Sequence, residues 1–218
     1  MRETSNPLVY KGTTTIGVVC NDGIILSSDT RVTMGTFIAH KKGKKIYKID
    51  DHVAMTISGS VADAQRLVDI LVVNARLYKI DFRRPIPIKS ASRLLSNLLF
   101  SSRYYPLIAQ IIVGGIDNSG HHVFSLDPLG SLVEEKCVAT GSGSPVAYGV
   151  LEDKFQEGMP TAEMLPVVVH ALKAAMKRNT ASGDSFDIAI IDKNGYRELA
   201  DDEKASIVET TSELRRKE

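Results

Sequence analysis

Cysteine is scarce in this sequence. Its 218 residues include only Cys20 and Cys137, which are far apart and form no CxxC pair. A disulfide framework and a zinc site are therefore not expected, and a reducing cytosol is the predicted compartment. The histidines show no HExxH or other ligand spacing, so neither a metal nor another cofactor is predicted. They are His40, His52, His121, His122 and His170.

An excess of one charge is also missing. Lysine and arginine together number 27, against 26 aspartate and glutamate residues. This balance creates no strong field, so no nucleic acid and no membrane surface is predicted as a partner. No apolar run approaches the ~20 residues of a membrane span, and the polar segment 1–12 has no signal-peptide core. A composition of 43% hydrophobic and 24% charged residues indicates one globular domain.

The first quarter of the chain shows the alternation and the turn residues of β-strands. Residues 13–20 and 23–32 form a predicted hairpin around Asn21 and Asp22, and residues 44–50 and 52–59 form a second strand pair.

Two amphipathic helices are predicted next. The first begins after Gly59, with Ser60 as N-cap and Asp63 in capping-box position. Its apolar residues at helical spacing are Ala64, Leu67, Val68, Leu71, Ala75 and Tyr78. The second helix lies between the proline breaks at 85–87 and 106 and carries Ala91, Leu94, Leu95, Leu98 and Leu99 on one face.

The second half of the chain repeats this order of strands and helices. Three strands are predicted over 107–115, 121–130 and 131–141, followed by two helices between Ser144 and about Arg178. Residues 185–193 are predicted as the last strand, and the charged segment from about 201 to 218 is a solvated tail or a helix. These segregated runs favour an α+β fold: a four-layer αββα sandwich of two stacked antiparallel sheets.

A cluster of threonines, GTTT at residues 12–15, stands at the start of the first predicted strand. Threonine is common in strands, so a scaffold role is one interpretation. The other is catalytic: a threonine hydroxyl becomes a nucleophile when the residue's own freed α-amine acts as base. Such an amine has an ordinary pKa near ~8, which a nearby cation lowers. Lys45 in KKGKKIY provides such a cation, and Asp29 in SSDTRVT provides a carboxylate to hold it.

Several separate motifs resemble the β-subunits of archaeal 20S proteasomes. They are GTTTIGVVCNDGIILSSDTRVTMG, HKKGKKIYKIDDHVAMTISGSVADAQ, IIVGGID and ATGSGSPVAYGVLE, and the similarity runs from about Tyr10 to Leu199. The resemblance implies an N-terminal nucleophile hydrolase fold and autolytic cleavage between Gly12 and Thr13. Residues 1–12 would then be a propeptide, and residues 13–218 a catalytic domain with a charged tail from about 201.

The same resemblance implies roles for residues around Thr13. Thr13 would be the nucleophile, Lys45 would lower the pKa of its amine or hydroxyl, and Asp29 would hold Lys45. Gly59 would offer its backbone N–H to the oxyanion, and Arg31 would support the site by orienting a turn. From the residues alone, Lys45 also fits a solvated basic turn, and Gly59 also fits a structural bend.

Substrate binding and further hydroxyls are implied in the same way. The substrate backbone would lie against the segments around Thr33 and Gly59. Val32, Ile57 and Val61 would lie near the specificity pocket, where apolar residues suggest cleavage after hydrophobic residues. Ser142 and Ser182 match two hydroxyls that bond around the nucleophile. Asn179 stands where the family usually has aspartate; an amide keeps the hydrogen bonding and loses the negative charge.

The implied function is that of a threonine endopeptidase subunit in the cytoplasm. By this resemblance, the chain would belong to one of two stacked seven-fold β-rings that lie between two rings of α-subunits. The particle would contain fourteen copies of each subunit, and a regulatory ATPase would deliver unfolded protein to it. One alternative is a catalytically silent β-subunit that shapes the ring and supports an active paralogue. Another is the shorter bacterial ATPase-dependent relative, which fits the long C-terminal part less well.

Overall fold

The computed structural model describes residues 12–34 and 36–217, with side chains up to residue 211. All of the predicted propeptide except Gly12 lies outside the described residues. In chain order the elements are β1 (Thr15–Val19), β2 (Ile24–Asp29), β3 (Val32–Met34), β4 (Phe37–His40), β5 (Ile46–Asp50), β6 (Val53–Gly59), α1 (Val61–Phe82), α2 (Ile88–Ser101), β7 (Ala109–Asp117), β8 (Gly120–Leu126), β9 (Leu132–Glu135), β10 (Cys137–Thr140), α3 (Ser144–Lys154), α4 (Thr161–Arg178), β11 (Phe186–Asp192), β12 (Gly195–Glu198) and α5 (Asp201–Lys217).

Two five-stranded antiparallel sheets form the centre of the fold. The first has the order β10-β1-β2-β11-β12, and the second has the order β5-β6-β7-β8-β9. Buried aliphatic residues from both sheets, among them Leu26, Ile112 and Ala189, pack between them. Helices α1 and α2 cover the outer face of the second sheet, and α3 and α4 cover that of the first. The predicted four-layer αββα sandwich is therefore confirmed.

Strand β2 shows why the sheets stack. Every residue from Ile24 to Asp29 is buried. Because successive side chains of a strand point to opposite faces, Ile24 and Leu26 join the layer between the sheets, while Ile25 packs against the helices. Strand β2 thus lies at the middle of a sheet covered on both sides, and its last residue, Asp29, is carried into the interior.

The chain changes sheets within the segment predicted as one strand over 131–141. Strand β9 pairs with β8 in the second sheet, whereas β10 pairs with β1 in the first. The change falls at Lys136, whose carbonyl accepts a hydrogen bond from Val19 N–H. The prediction of a single strand was wrong because no glycine, proline or other turn residue marks the point at which the pairing partner changes.

Two other predictions need correction, and one hairpin was not predicted. Residues 185–193 are not the last strand, because β11 turns at Asn194 into β12. The small β3–β4 hairpin was missed, and its exposed Met34 and Phe37 give it little apolar alternation. The capping box at α1 is absent: Ser60 makes no side-chain cap, and Asp63 Oδ2 accepts the N–H of Ile108 instead.

The charged C-terminal segment is a helix rather than a solvated tail. Helix α5 begins at Asp201, where Glu203 accepts the N–H of Ala200, and it packs on the first sheet's helical layer through Ile207 and Val208. Within residues 12–34 and 36–217, no helix is both long and apolar enough to cross a membrane.

Candidate active site

Thr13 lies just before β1 and is 3% exposed. Its carbonyl accepts the N–H of Gly143 at 3.3 Å, and its own N–H donates to Ser142 Oγ at 3.4 Å. Gly141 closes over this carbonyl with φ +89°, and a Cβ there would lie 2.1 Å from Thr13 O. The glycines of the segment ATGSGS therefore let the chain pass close to Thr13.

The hydroxyl of Thr13 faces the peptide bond that precedes it. Thr13 Oγ1 donates to Gly12 O at 2.6 Å, and Gly12 N–H donates to Thr33 Oγ1 at 3.3 Å. The hydroxyl is thus in contact with the carbonyl group at which cleavage is predicted.

Asp29 is fully buried at the end of β2 and gathers four donors. Its Oδ1 accepts the N–H of Thr14 and the Lys45 ammonium, each at 2.8 Å. Its Oδ2 accepts the backbone N–H groups of Arg31 and Gly183, each at 3.1 Å. A buried carboxylate is stable when its oxygens are satisfied in this way.

Lys45 precedes β5, and its side chain is only 8% exposed. Burial lowers the pKa of the Lys45 ammonium below its usual value, and the Asp29 carboxylate opposes this shift only in part. Lys45 is therefore not a residue of a solvated basic turn.

A pocket brings Thr13 and Lys45 together with the predicted substrate-binding residues. It is lined by Gly12, Thr13, Arg31, Val32, Thr33, Lys44, Lys45, Tyr47, Ile57, Gly59, Val61 and Ala64. Gly59 ends β6 with φ +139°, and a Cβ there would lie 2.0 Å from Ile108 O, so this corner of the pocket requires glycine. The role of the Gly59 N–H at the oxyanion stays a prediction.

Two hydroxyl groups predicted around the nucleophile have different partners. Ser142 Oγ accepts Thr13 N–H and also the Asn179 Nδ2 amide at 2.8 Å. Ser182 Oγ instead bonds Thr14 Oγ1 at 2.9 Å. The third threonine, Thr15, bonds Thr140 across the sheet at 2.6 Å. Each member of the threonine cluster therefore has its own contact.

Arg31 ties the turn after β2 to the loop after α4. Its guanidinium donates to Asp184 Oδ2 and to the carbonyl of Thr180, each at 2.8 Å. The same loop carries Ser182 and donates Gly183 N–H to Asp29. Arg31 is thus placed to support the loop.

Sequence reasoning missed some of these residues. Tyr47 follows Lys45 by two positions in an extended segment, so the strand period of two places both side chains on the pocket side. Ala64 follows Val61 by about one helical turn, so the helical period places these two on the pocket side as well. Asp184 has no local signal, because its partner Arg31 lies 153 positions away. Among the described residues, no group of histidine, cysteine, aspartate or glutamate side chains is arranged to hold a metal ion.

Comparison with known proteins identifies the family. A family model described as "Proteasome subunit" matches residues 9–191, and the chain therefore belongs to the proteasome subunit family. Within that family it is similar to archaeal proteins named "Proteasome subunit beta". Those of Methanohalophilus mahii and Methanosarcina barkeri are 51% and 50% identical, over 91% and 93% of this chain and 95% and 96% of theirs. That of Methanocaldococcus jannaschii is 48% identical over 93% of this chain and 91% of its own.

Proposed function

We propose that this chain is a threonine endopeptidase subunit of a 20S proteasome core, in which Thr13 becomes the N-terminal nucleophile once residues 1–12 are removed. The observation that carries the proposal is the buried Thr13 hydroxyl beside a buried Lys45–Asp29 pair in one pocket. A cation and a carboxylate buried beside a threonine are the means of activating a weak nucleophile.

Maturation begins with the Thr13 hydroxyl, which already contacts the Gly12 carbonyl. In the uncut chain the Thr13 nitrogen is an amide and is not a base, so the proton of Oγ1 goes to the neutral form of Lys45, which its burial-lowered pKa makes accessible. Oγ1 attacks the Gly12 carbonyl carbon, the Gly12–Thr13 C–N bond breaks, and the nitrogen takes up the proton that Lys45 received. The resulting ester is hydrolysed by water, which frees the amine and the hydroxyl.

Peptide hydrolysis then uses the freed amine as base. The Thr13 amine accepts the Oγ1 proton as Oγ1 attacks a peptide carbonyl, and the proton passes to the leaving amine. The N–H of Gly59 stabilises the oxyanion. Water activated by the same amine hydrolyses the acyl-enzyme. The Lys45 ammonium, which Asp29 holds in place, favours the neutral form of the amine.

Gly12 supports a division into propeptide and catalytic domain. It lines the pocket and bonds Thr33, one of the predicted substrate-binding residues. Segment 1–12 must therefore leave before a substrate binds, and residues 13–218 form the working domain. Val32, Ile57, Val61 and Ala64 give the pocket an apolar wall, which favours cleavage after hydrophobic residues.

The partners follow from the proposed role. The chain assembles in seven-fold β-rings with α-subunits, a regulatory ATPase delivers unfolded protein, and the particle works in the cytoplasm. Enclosure in a chamber protects other proteins from an unselective nucleophile.

The intact mass of the chain after assembly with its α-subunit tests the proposal. The wild type should lose residues 1–12 and hydrolyse a peptide with a hydrophobic residue before the cut. Thr13→Ala should retain the segment and be inactive, whereas Thr15→Val, which removes a neighbouring hydroxyl, should be processed. An unprocessed, inactive wild type would overturn the proposal and favour the silent β-subunit. The residue that supports this alternative is Asn179, which stands where the family usually has aspartate.

A further inference from the structure

Thr13 and Gly59 belong to different sheets. Thr13 lies just before β1 of the first sheet, and Gly59 ends β6 of the second. On the proposed function they supply the nucleophile and the oxyanion donor, which must meet the same peptide carbonyl. Strand pairing within one sheet does not fix the distance to the other sheet. The bonds that join the two sheets at this edge therefore set how Thr13 faces Gly59.

One such bond lies on the β2 side of Thr13. Strand β2 is next to β1 in the first sheet, and β5 is next to β6 in the second. Asp29 ends β2, Lys45 directly precedes β5, and their 2.8 Å ion pair joins the two sheets. The ion pair of the site therefore also fixes the spacing of the sheets on this side.

A second bond lies on the opposite side. Strands β10 and β7 are the other neighbours of β1 and β6. Gln110 is the second residue of β7, and its Oε1 accepts the N–H of Gly141, which follows β10, at 2.9 Å. The same oxygen accepts the Ser58 hydroxyl at 3.4 Å. In residues 12–34 and 36–217, the bond to Gln110 is the only hydrogen bond that Gly141 N–H donates.

Gly141 connects this bond to Thr13. A Cβ at Gly141 would lie 2.1 Å from Thr13 O and 3.3 Å from Ser58 Cβ, so Gly141 lies between the Thr13 backbone and the residue that precedes Gly59. Two residues further on, Gly143 N–H donates to Thr13 O. A shift of the segment 141–143 would therefore move Thr13 relative to Gly59.

We propose that Gln110 is a positioning residue that holds the segment 141–143 against the second sheet and so fixes Thr13 at the distance from Gly59 that catalysis requires. This inference rests on the proposed function. Gln110 is not one of the described residues that line the pocket, so it acts through Gly141 rather than on the substrate. A misplacement of about 1 Å can cost about a hundredfold in rate, so one such bond has a measurable effect.

The property of Gln110 that the proposal requires is its acceptor oxygen. Both partners of Oε1, the N–H of Gly141 and the hydroxyl of Ser58, are donors. Glutamate at position 110 keeps an acceptor oxygen on a side chain of the same length. Methionine has a similar length, but its sulfur is only a weak acceptor. Gln110→Glu and Gln110→Met therefore separate the acceptor from the shape of the side chain.

His121 provides a matched control at the far end of the sheets. Its Nδ1–H donates to Cys20 O at 2.9 Å, which joins β8 of the second sheet to the residue after β1 of the first. Because Thr13 precedes β1 and Cys20 follows it, this bond lies at the other end of the strand. His121→Phe removes one bond between the sheets and leaves both bonds beside the site in place.

The test is steady-state hydrolysis of a peptide with a hydrophobic residue before the cut, by the assembled particle. Intact mass gives the number of processed subunits, and kcat is expressed per processed subunit. Gln110→Met should lower kcat about tenfold and leave KM within about twofold, because Thr13 is misplaced while the pocket keeps its lining. Gln110→Glu and His121→Phe should both keep the wild-type kcat. Retention of residues 1–12 in Gln110→Met but not in Gln110→Glu would support the inference equally, since the attack on Gly12 uses the same placement of Thr13.

The contradicting results distinguish the two proposals. With an active wild type, an unchanged kcat in Gln110→Met would overturn the inference alone. An equal loss of activity in Gln110→Glu would also overturn it, because the acceptor oxygen would then not be the cause, and so would an equal loss in His121→Phe. A raised KM with an unchanged kcat would place Gln110 in substrate binding and overturn its positioning role. A wild type that is unprocessed, or processed and inactive, would overturn the proposed function and this inference together.

Discussion

Replacement of Asp29 by asparagine should remove much of the stability of the unprocessed chain. The carboxylate accepts two donors on each oxygen, from Thr14 and Lys45 at 2.8 Å and from Arg31 and Gly183 at 3.1 Å. In Asp29→Asn one oxygen becomes an NH₂ group, so on either orientation two donors face a donor. At about 1.5–3 kcal/mol for each bond to a charged acceptor, the loss is about 3–6 kcal/mol.

Lys45→Met removes the counter-ion of Asp29 and leaves its carboxylate in place. It removes one of the four donors, and the buried carboxylate keeps its three backbone N–H groups. A methionine of similar length fills the space with little loss of packing. The carboxylate is left buried without its counter-ion, which costs about 3–5 kcal/mol. Lys45→Met should therefore be destabilised about as much as Asp29→Asn, and both variants should be inactive.

Denaturant unfolding measures both costs. All variants carry Thr13→Ala, so that every chain keeps residues 1–12 and unfolds from the same form. A total stability of about 5–15 kcal/mol makes a loss of this size visible as a large shift of the midpoint. If Asp29→Asn unfolds at the midpoint of its parent, the four bonds do not stabilise the carboxylate as described.

Three further predictions concern the surroundings of Thr13. Gly141→Ala should block processing, because a Cβ there would lie 2.1 Å from Thr13 O. Gly158→Ala is the control, since Gly158 has a similar φ of +87° and open space around a Cβ. It should lower the free energy of unfolding by about 1 kcal/mol and leave processing, measured by intact mass, unchanged. Arg31→Lys should slow processing several-fold by loosening the 180–184 loop, whereas Arg197→Lys, in an exposed pair with Glu203, should process at the wild-type rate. The pKa of Lys45 is lowered from 10.5, so between the two pKa values the unfolded chain binds more protons than the folded chain. In this alkaline range the free energy of unfolding of the parent should therefore rise with pH relative to that of Lys45→Met. A difference between the two that stays flat or falls with pH would refute the assignment.

The layers of the fold were predictable from local patterns, and three of the site residues were predictable from residue type together with the family resemblance. Strands such as β2 follow from alternation, and helices such as α4 follow from apolar residues at helical spacing. Thr13, Asp29 and Lys45 were selected by type and by the resemblance, and the described structure places them together. Their roles in catalysis stay predictions.

What escaped prediction depends on partners far away in the chain. The change of sheet at Lys136 is decided by pairing with β1 and β8, not by the composition of its own segment. Asp63 fits a capping box by spacing, but the N–H of Ile108 competes for its carboxylate. The orientation of the Asn179 amide depends on a backbone donor two residues on, which no side-chain pattern displays.

The sequence distance between the parts of the site has a consequence for biosynthesis. Thr13 bonds Ser142 across 129 positions, Asp29 bonds Gly183 across 154, and Thr14 bonds Ser182 across 168. Because a chain is made from its N-terminus, the ribosome adds Ser142, Ser182 and Gly183 long after the threonines and Asp29. A nascent or half-folded chain therefore has its threonine long before it has the surroundings that would activate it. On the proposed function, proteolytic capacity would arise only when synthesis and folding of the domain are complete.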